Sequence, residues 1–220
     1  MSKTEKAYNA FMVIFITMIV LTNIIGVKLF EVNSVTLTTG IITYPLTFLI
    51  TDIVCEVFGK KRASLMVVMG FFASLLSLVF INLAVMLPGS EVWINNSLGY
   101  NSIKDMQNAY ESVFTLPGFL ISASMLAYLV AQLIDVRIFH YLKKVTNEKK
   151  LWLRNNLSTM FSQLIDTIIV NSIFLYFGLN LDWDIIIKII IASYLFKIII
   201  ALLDTPLVYI GVHYTRKYIK

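Results

Sequence analysis

A chain of 220 residues that is 58% hydrophobic and 14% charged, with a mean hydropathy of +0.80, lies outside the range of soluble domains, which are about 45–50% apolar. Its net charge of +5 is spread over short basic segments and does not call for nucleic acid as a partner. One cysteine excludes an internal disulfide, one Cys with two His residues offers no metal site, and no G-x-x-x-x-G-K-[ST] motif occurs, so the chain carries no ATPase of its own and no cofactor is expected.

Along the chain, Ala7–Val27, Ala63–Ser90 and Ser112–Ile134 carry no charge at all. Roughly 20 apolar residues cross a bilayer, so these runs predict transmembrane helices. The first is too long for a cleavable signal and lacks an A-x-A-like site after it. Six spans are expected, at about 8–29, 35–58, 63–87, 115–142, 157–180 and 185–213. Residues 1–220 then form a single, all-α transmembrane domain. Lys3 and Lys6, the Gly59-Lys60-Lys61-Arg62 turn, the segment from Lys143 to Arg154, and Arg216, Lys217 and Lys220 fall on one side of such a bundle. The positive-inside rule places that side, with both termini, in the cytoplasm. Trp93, Trp152 and Trp183 lie near the expected interfaces, and the one long loop, 88–116, faces outward, as an entrance cover or a plain linker.

The letters QLID occur at Gln132–Asp135 and again at Gln163–Asp166, each time within an apolar stretch. Counted from the basic ends, Asp52, Asp135, Asp166 and Asp204 all fall roughly 10–18 Å inside the cytoplasmic surface, with Glu56 one turn below Asp52. A carboxylate at mid-bilayer costs about 2.5–3.5 kcal/mol, so each is expected to face the bundle interior and find a partner. Lys197, seven residues before Asp204, is the expected partner of that acid, and Arg137 is free to snorkel. The remaining acids call for protons, ions or a ligand rich in donors. Ser124, Tyr128, Gln132 and Asp135 share one helix face, Ser162 and Gln163 flank Asp166, Tyr194 aligns with Lys197 and Asp204, and Asn23 marks the first helix. Pro45 and Pro206 are expected to free the carbonyls of Ile41 and Leu202 inside their helices. The bland alternative is that Ser, Gln and Asn only hold helices together and that a Lys197–Asp204 pair is structural. Carboxylates beside carboxamides suit a flat solute with adjacent donors and acceptors, stacked on Tyr128, Phe161 or Tyr194.

The stretch from Tyr44-Pro-Leu-Thr through Asp52-Ile-Val-Cys-Glu56-Val-Phe-Gly59 resembles the signature of the queuosine precursor transporters. Thr22-Asn23 with Lys28, Ser124, Tyr128 and Gln132-Leu-Ile-Asp135, Ser162-Gln163 and Asp166, and Lys197 with Asp204-Thr-Pro206 extend the likeness over nearly the whole chain. The family pattern has Ala-Arg after the glycine turn; here Ala63 is followed by Ser64, with Arg62 before it. The resemblance implies an inner-membrane, multi-pass importer of purine-like 7-deazaguanine bases, such as 7-cyano-7-deazaguanine, 7-aminomethyl-7-deazaguanine or queuine, for salvage into tRNA modification. Its partners would be the small solute, membrane lipid and, in a homo-oligomer, its own copies. The substrate would lie among Asn23, Asp52, Glu56, Tyr128, Gln132, Asp135, Gln163, Asp166, Lys197 and Asp204. Two rival readings are a substrate-capture subunit of an energy-coupling vitamin importer and an intramembrane aspartyl protease. The first needs a separate ATPase, and the second lacks its G-x-G-D motif here.

Overall fold

The computed structural model describes residues 1–26, 28–32, 35–115, 118–178 and 181–220. Among the described residues, seven α-helices carry almost all of the structure: α1 (Lys3–Ile25), α2 (Tyr44–Phe58), α3 (Lys60–Met86), α4 (Ile103–Phe114), α5 (Gly118–Val145), α6 (Leu151–Asn171) and α7 (Trp183–Ile219). Strands β1 (Leu29–Val32) and β2 (Val35–Thr38) pair antiparallel between α1 and α2. Ser2 and Glu5 close a reciprocal cap on α1, satisfying its first free amides. α6 continues into a π-helical stretch, Ser172–Gly178.

Five of the helices, α1, α3, α5, α6 and α7, are long and apolar enough to cross a bilayer. The expected second span, 35–58, is different. It divides into β2, a 3-10 turn at Thr39–Ile42 and the 15-residue α2. At 1.5 Å per residue α2 is about 22 Å long, short of the roughly 30 Å hydrocarbon layer. Pro45 explains where α2 begins. It stands in the first turn, where its missing amide hydrogen costs nothing. Pro45 therefore starts a helix; it does not open one at Ile41, as the sequence suggested.

The order of helix ends is read from a few contacts. The Tyr8 hydroxyl donates to the carbonyl of Arg62 at 2.9 Å, and Phe58 packs on Tyr8 and Phe11. The start of α1, the end of α2 and the start of α3 therefore meet at one face. Gly59 makes the link between α2 and α3 in a single residue, with φ at +84°, a conformation that a side chain would strain. Lys143 near the end of α5, Arg154 in the first turn of α6 and Arg216 near the end of α7 all reach Glu56 near the end of α2. Six helices thus run alternately away from and back to one face, which carries both termini. At the far end, α4 lies beside the end of α3, where Gln107 donates to the carbonyl of Val85 at 3.0 Å. Trp93, Tyr110 and Phe114 form an aromatic row there.

Large apolar side chains point outward along α3 (Leu65, Phe72, Leu76 and Phe80), as a lipid-facing helix requires. The inner apolar core gathers Phe15, Val54, Met66, Val67, Val136 and Phe139. Gly70 lets α1, α3 and α5 close up. A Cβ there would stand 2.7 Å from the Phe15 ring and 3.3 Å from the Tyr128 hydroxyl.

Candidate functional site

α6 is an inverted amphipathic helix. Its buried residues are Arg154, Asn155, Asn156, Ser158, Thr159, Ser162, Gln163, Asp166 and Thr167, every one of them polar. Pairs spaced by four residues keep one face toward the bundle. Its apolar residues Trp152, Leu157, Phe161 and Ile168 point away. Phe161, proposed from sequence as a stacking ring, is 60% exposed on that outer face and cannot line an interior site.

α2 and α5 bring their acids to this polar face. Thr159 donates to Asp52 Oδ2 at 3.4 Å, and Ser162 donates to Asp135 Oδ1 at 3.2 Å. Thr51, one residue before Asp52, donates to Gln132 Oε1 at 3.3 Å. Asp52, Gln132 and Asp135 are buried, so these hydroxyls stand in for water. They satisfy only half of each group. Asp52 Oδ1, Asp135 Oδ2, Gln132 Nε2, Gln163 Oε1 and the Tyr44 and Tyr128 hydroxyls are buried without a hydrogen-bond partner among the described residues. Native interiors leave few such atoms, and a cluster of them calls for a ligand, an ion or water.

Asp166, unlike Asp52 and Asp135, is neutralised by a lysine of α7. Lys197 Nζ lies 2.8 Å from Asp166 Oδ2 and 5.0 Å from the centre of the Tyr44 ring. The expected Lys197–Asp204 pair is not formed among the described residues. Helical side chains lean toward the helix N-terminus, so Lys197 leans away from Asp204, which is about 10 Å further along α7. Asp204 is half-buried on α7. Asn23, in the last turn of α1, is half-buried toward the opposite end from Glu56, and no described bond ties it to the acids. Tyr194 donates to the carbonyl of Met160 at 3.2 Å and so braces α7 against α6.

Glu56 has a different setting. Arg154 and Lys143 approach its Oε2 at 2.6 and 3.0 Å, and Arg216 approaches Oε1 at 2.6 Å. Both oxygens are occupied by side chains of three other helices. Glu56 is thus a tie between α2, α5, α6 and α7, one turn below Asp52. Arg154 is 1% exposed, lies over the Phe139 ring at 5.5 Å and donates to the carbonyls of Glu148 and Lys149 at 2.9 and 3.1 Å. Those bonds hold a turn in which Asn147, Glu148 and Lys150 all have positive φ. Non-glycine residues reach that region at a cost on the order of 1 kcal/mol each.

Sequence reading missed Arg154, which it assigned to a loop, and the hydroxyls of Thr51 and Thr159. The repeat Arg154, Ser158, Ser162, Asp166 was the available signal; it continues the polar stripe down to Leu151, where α6 begins.

Residues 38–211 match the family model described as "putative vitamin uptake transporter". A Bacillus subtilis (strain 168) protein named "probable queuosine precursor transporter" is 31% identical over 190 residues, 85% of this chain and 76% of that protein. A Haemophilus influenzae protein of the same name is 30% identical over 140 residues, 63% of this chain, and the match spans about half of that longer protein, 52%. No solved structure matches. The family match takes in Asp52, Asp135, Asp166 and the Glu56 tie, so the polar interior of the bundle lies within the matched region. The chain belongs to this family of membrane transporters, and is a transport protein, not an enzyme.

Proposed function

We propose that this chain imports queuosine precursors, 7-deazaguanine bases such as the 7-cyano and 7-aminomethyl forms or queuine, across the plasma membrane. The observation that carries this reading is the set of unpartnered buried atoms around Asp52 and Asp135. Their acceptors suit the ring N–H and exocyclic amine of a guanine-like edge, while the Gln132 amide and the two phenols offer donors to its carbonyl side. Tyr44 and Tyr128 supply the aromatic surface. Asp52, Tyr128, Gln132, Asp135, Gln163, Asp166 and Lys197 are the proposed substrate contacts. Glu56 is reassigned to holding the helices, and Asn23 and Asp204 to the route on either side.

In this reading six helices cross the membrane, α2 with its preceding turn and hairpin among them. The face bearing both termini is cytoplasmic. The test is uptake of radiolabelled 7-deazaguanine bases by cells that lack both their synthesis and their import, with and without this chain. Accumulation that depends on the chain supports the proposal. Uptake that appears only with a separate ATPase pair would make the chain a capture subunit, and no uptake of any 7-deazaguanine base would overturn the substrate assignment.

A further inference from the structure

We propose that the segment of α7 after Pro206 is a gate arm, and that the Arg216–Glu56 ion pair is the catch that holds it shut over the polar face of α6. This rests on the transport reading, and it concerns how a bound solute leaves toward the face that carries the termini.

Arg154, Ser158, Ser162 and Asp166 place one buried polar side chain on every turn of α6, from the Glu56 tie to the Lys197 pair. That track is about 18 Å long. Its lower end is stopped by Glu56 with its three cations. Two of these cations are fixed. Lys143 also donates to the carbonyl of Glu56 at 3.2 Å, and Arg154 is held by the carbonyls of Glu148 and Lys149. Arg216 differs from both: its side chain is 53% exposed, and the one described bond of that side chain is to Glu56 Oε1. The weakest part of the tie therefore belongs to α7.

α7 is also built to bend between the solute and the catch. Pro206 lies between Lys197 and Arg216 and removes the amide that would bond the carbonyl of Leu202. Beyond it the arm rests on α2. Val208 and Val212 pack with Ile53, the residue after Asp52. Gly211 makes this contact close, since a Cβ there would collide with the Ile53 side chain. The Tyr209 hydroxyl accepts from the amide of Trp152 at 3.2 Å. Lifting the arm breaks one ion pair whose arginine is half-exposed, the Tyr209–Trp152 hydrogen bond and a small apolar seat, leaves Arg154 and Lys143 on Glu56, and uncovers α2 beside its buried acid.

The experiment uses full-length purified protein with Cys55→Ser and a single reporter cysteine, treated with a small charged thiol reagent in detergent. Ser158→Cys reports on the track below the acids, and Asn23→Cys reports on the far end. Arg216→Gln removes the catch, and Gly211→Val wedges the seat. Each is expected to speed modification of Ser158→Cys about fivefold or more, leaving Asn23→Cys unchanged, while Arg216→Lys keeps the slow rate. An unchanged Ser158→Cys rate in both variants overturns the gate, and so does an equal rise at both reporters, which would mean general loosening. If Ser158→Cys does not accumulate, Thr159→Cys is the second reporter on the same face. No solute is needed for this measurement, so failure of the 7-deazaguanine assignment and failure of the gate are read separately.

Discussion

At the scale of single residues, the division between satisfied and unsatisfied acids carries the functional argument. Glu56 and Asp166 have cations, whereas Asp52 and Asp135 have one hydroxyl each and one idle oxygen. Asp→Asn keeps volume but exchanges an all-acceptor group for one that also donates. Asp52→Asn and Asp135→Asn are expected to weaken binding of the transported base roughly 10- to 100-fold, since charge-assisted bonds contribute about 1.5–3 kcal/mol. Melting temperature should change little, because removing an unpaired buried charge also removes its desolvation cost. Equilibrium binding to the purified variants checks both; wild-type affinity in both variants would remove these acids from the site. The Lys197–Asp166 pair predicts a different pattern. Either single change, Lys197→Met or Asp166→Asn, leaves its partner stranded and should cost about 1–3 kcal/mol, the lysine being partly exposed. The double variant should cost less than the sum, and additive losses in a thermal-unfolding cycle would show that the pair is not coupled. The sequence made the acids legible because a charge within an apolar run stands out. It did not make their partners legible. Lys197 shares its helix with Asp204, yet the lean of helical side chains carries its ammonium to Asp166 on α6 instead.

At the scale of the elements, long uncharged runs marked α1, α3 and α5 clearly, because composition alone sets their length. For the same reason composition overstates α2, which is Tyr44–Phe58 and not the whole of 35–58. The apolar stretch 35–58 has the length of a span, yet its first part pairs as a hairpin strand and Pro45 fixes where the helix can start. α4 was missed as a helix because it lies among the polar residues of the long loop; its Ser102 cap, which accepts from the amide of Asp105, was the local sign. The expected span 157–180 begins six residues after α6 does, which leaves Arg154 outside it. Close helix contacts depend on glycines that composition does not reveal. Gly70 is the clearest case. Gly70→Ala puts a methyl 2.7 Å from the Phe15 ring and close to the Tyr128 hydroxyl, so α1 and α5 must give way. The expected loss is roughly 1–3 kcal/mol of stability, with weaker substrate binding through a displaced Tyr128. A thermal-unfolding comparison with Gly99→Ala, whose Cβ would meet open space, separates packing from backbone effects; equal losses in the two variants would argue against a packing role for Gly70.

At the scale of the whole molecule, the placement of charge argues for one orientation. The face that holds the Glu56 tie also carries Lys3, Lys6, Lys60, Lys61, Arg62, Lys144, Lys149, Lys150, Lys217 and Lys220. The opposite connections hold Lys28 and Lys104 beside Glu31, Glu91, Asp105, Glu111, Asp182 and Asp184. Basic residues in short loops stay on the cytoplasmic side during insertion, so the Glu56 face is expected inside and α4 outside. The order of helix ends supports the same topology independently of charge, since six helices returning alternately to one face leave both termini there. Cys55 is buried, so reporter cysteines can be read against a quiet background. In intact cells, Asn95→Cys, in the 3-10 turns before α4, should react with a membrane-impermeant thiol reagent, and Lys149→Cys should react only after permeabilisation. The reverse pattern would invert the molecule and with it the direction in which the α7 arm opens. Labelling of both positions in intact cells would break the alternating arrangement itself, because Lys149 follows α5 and Asn95 precedes it.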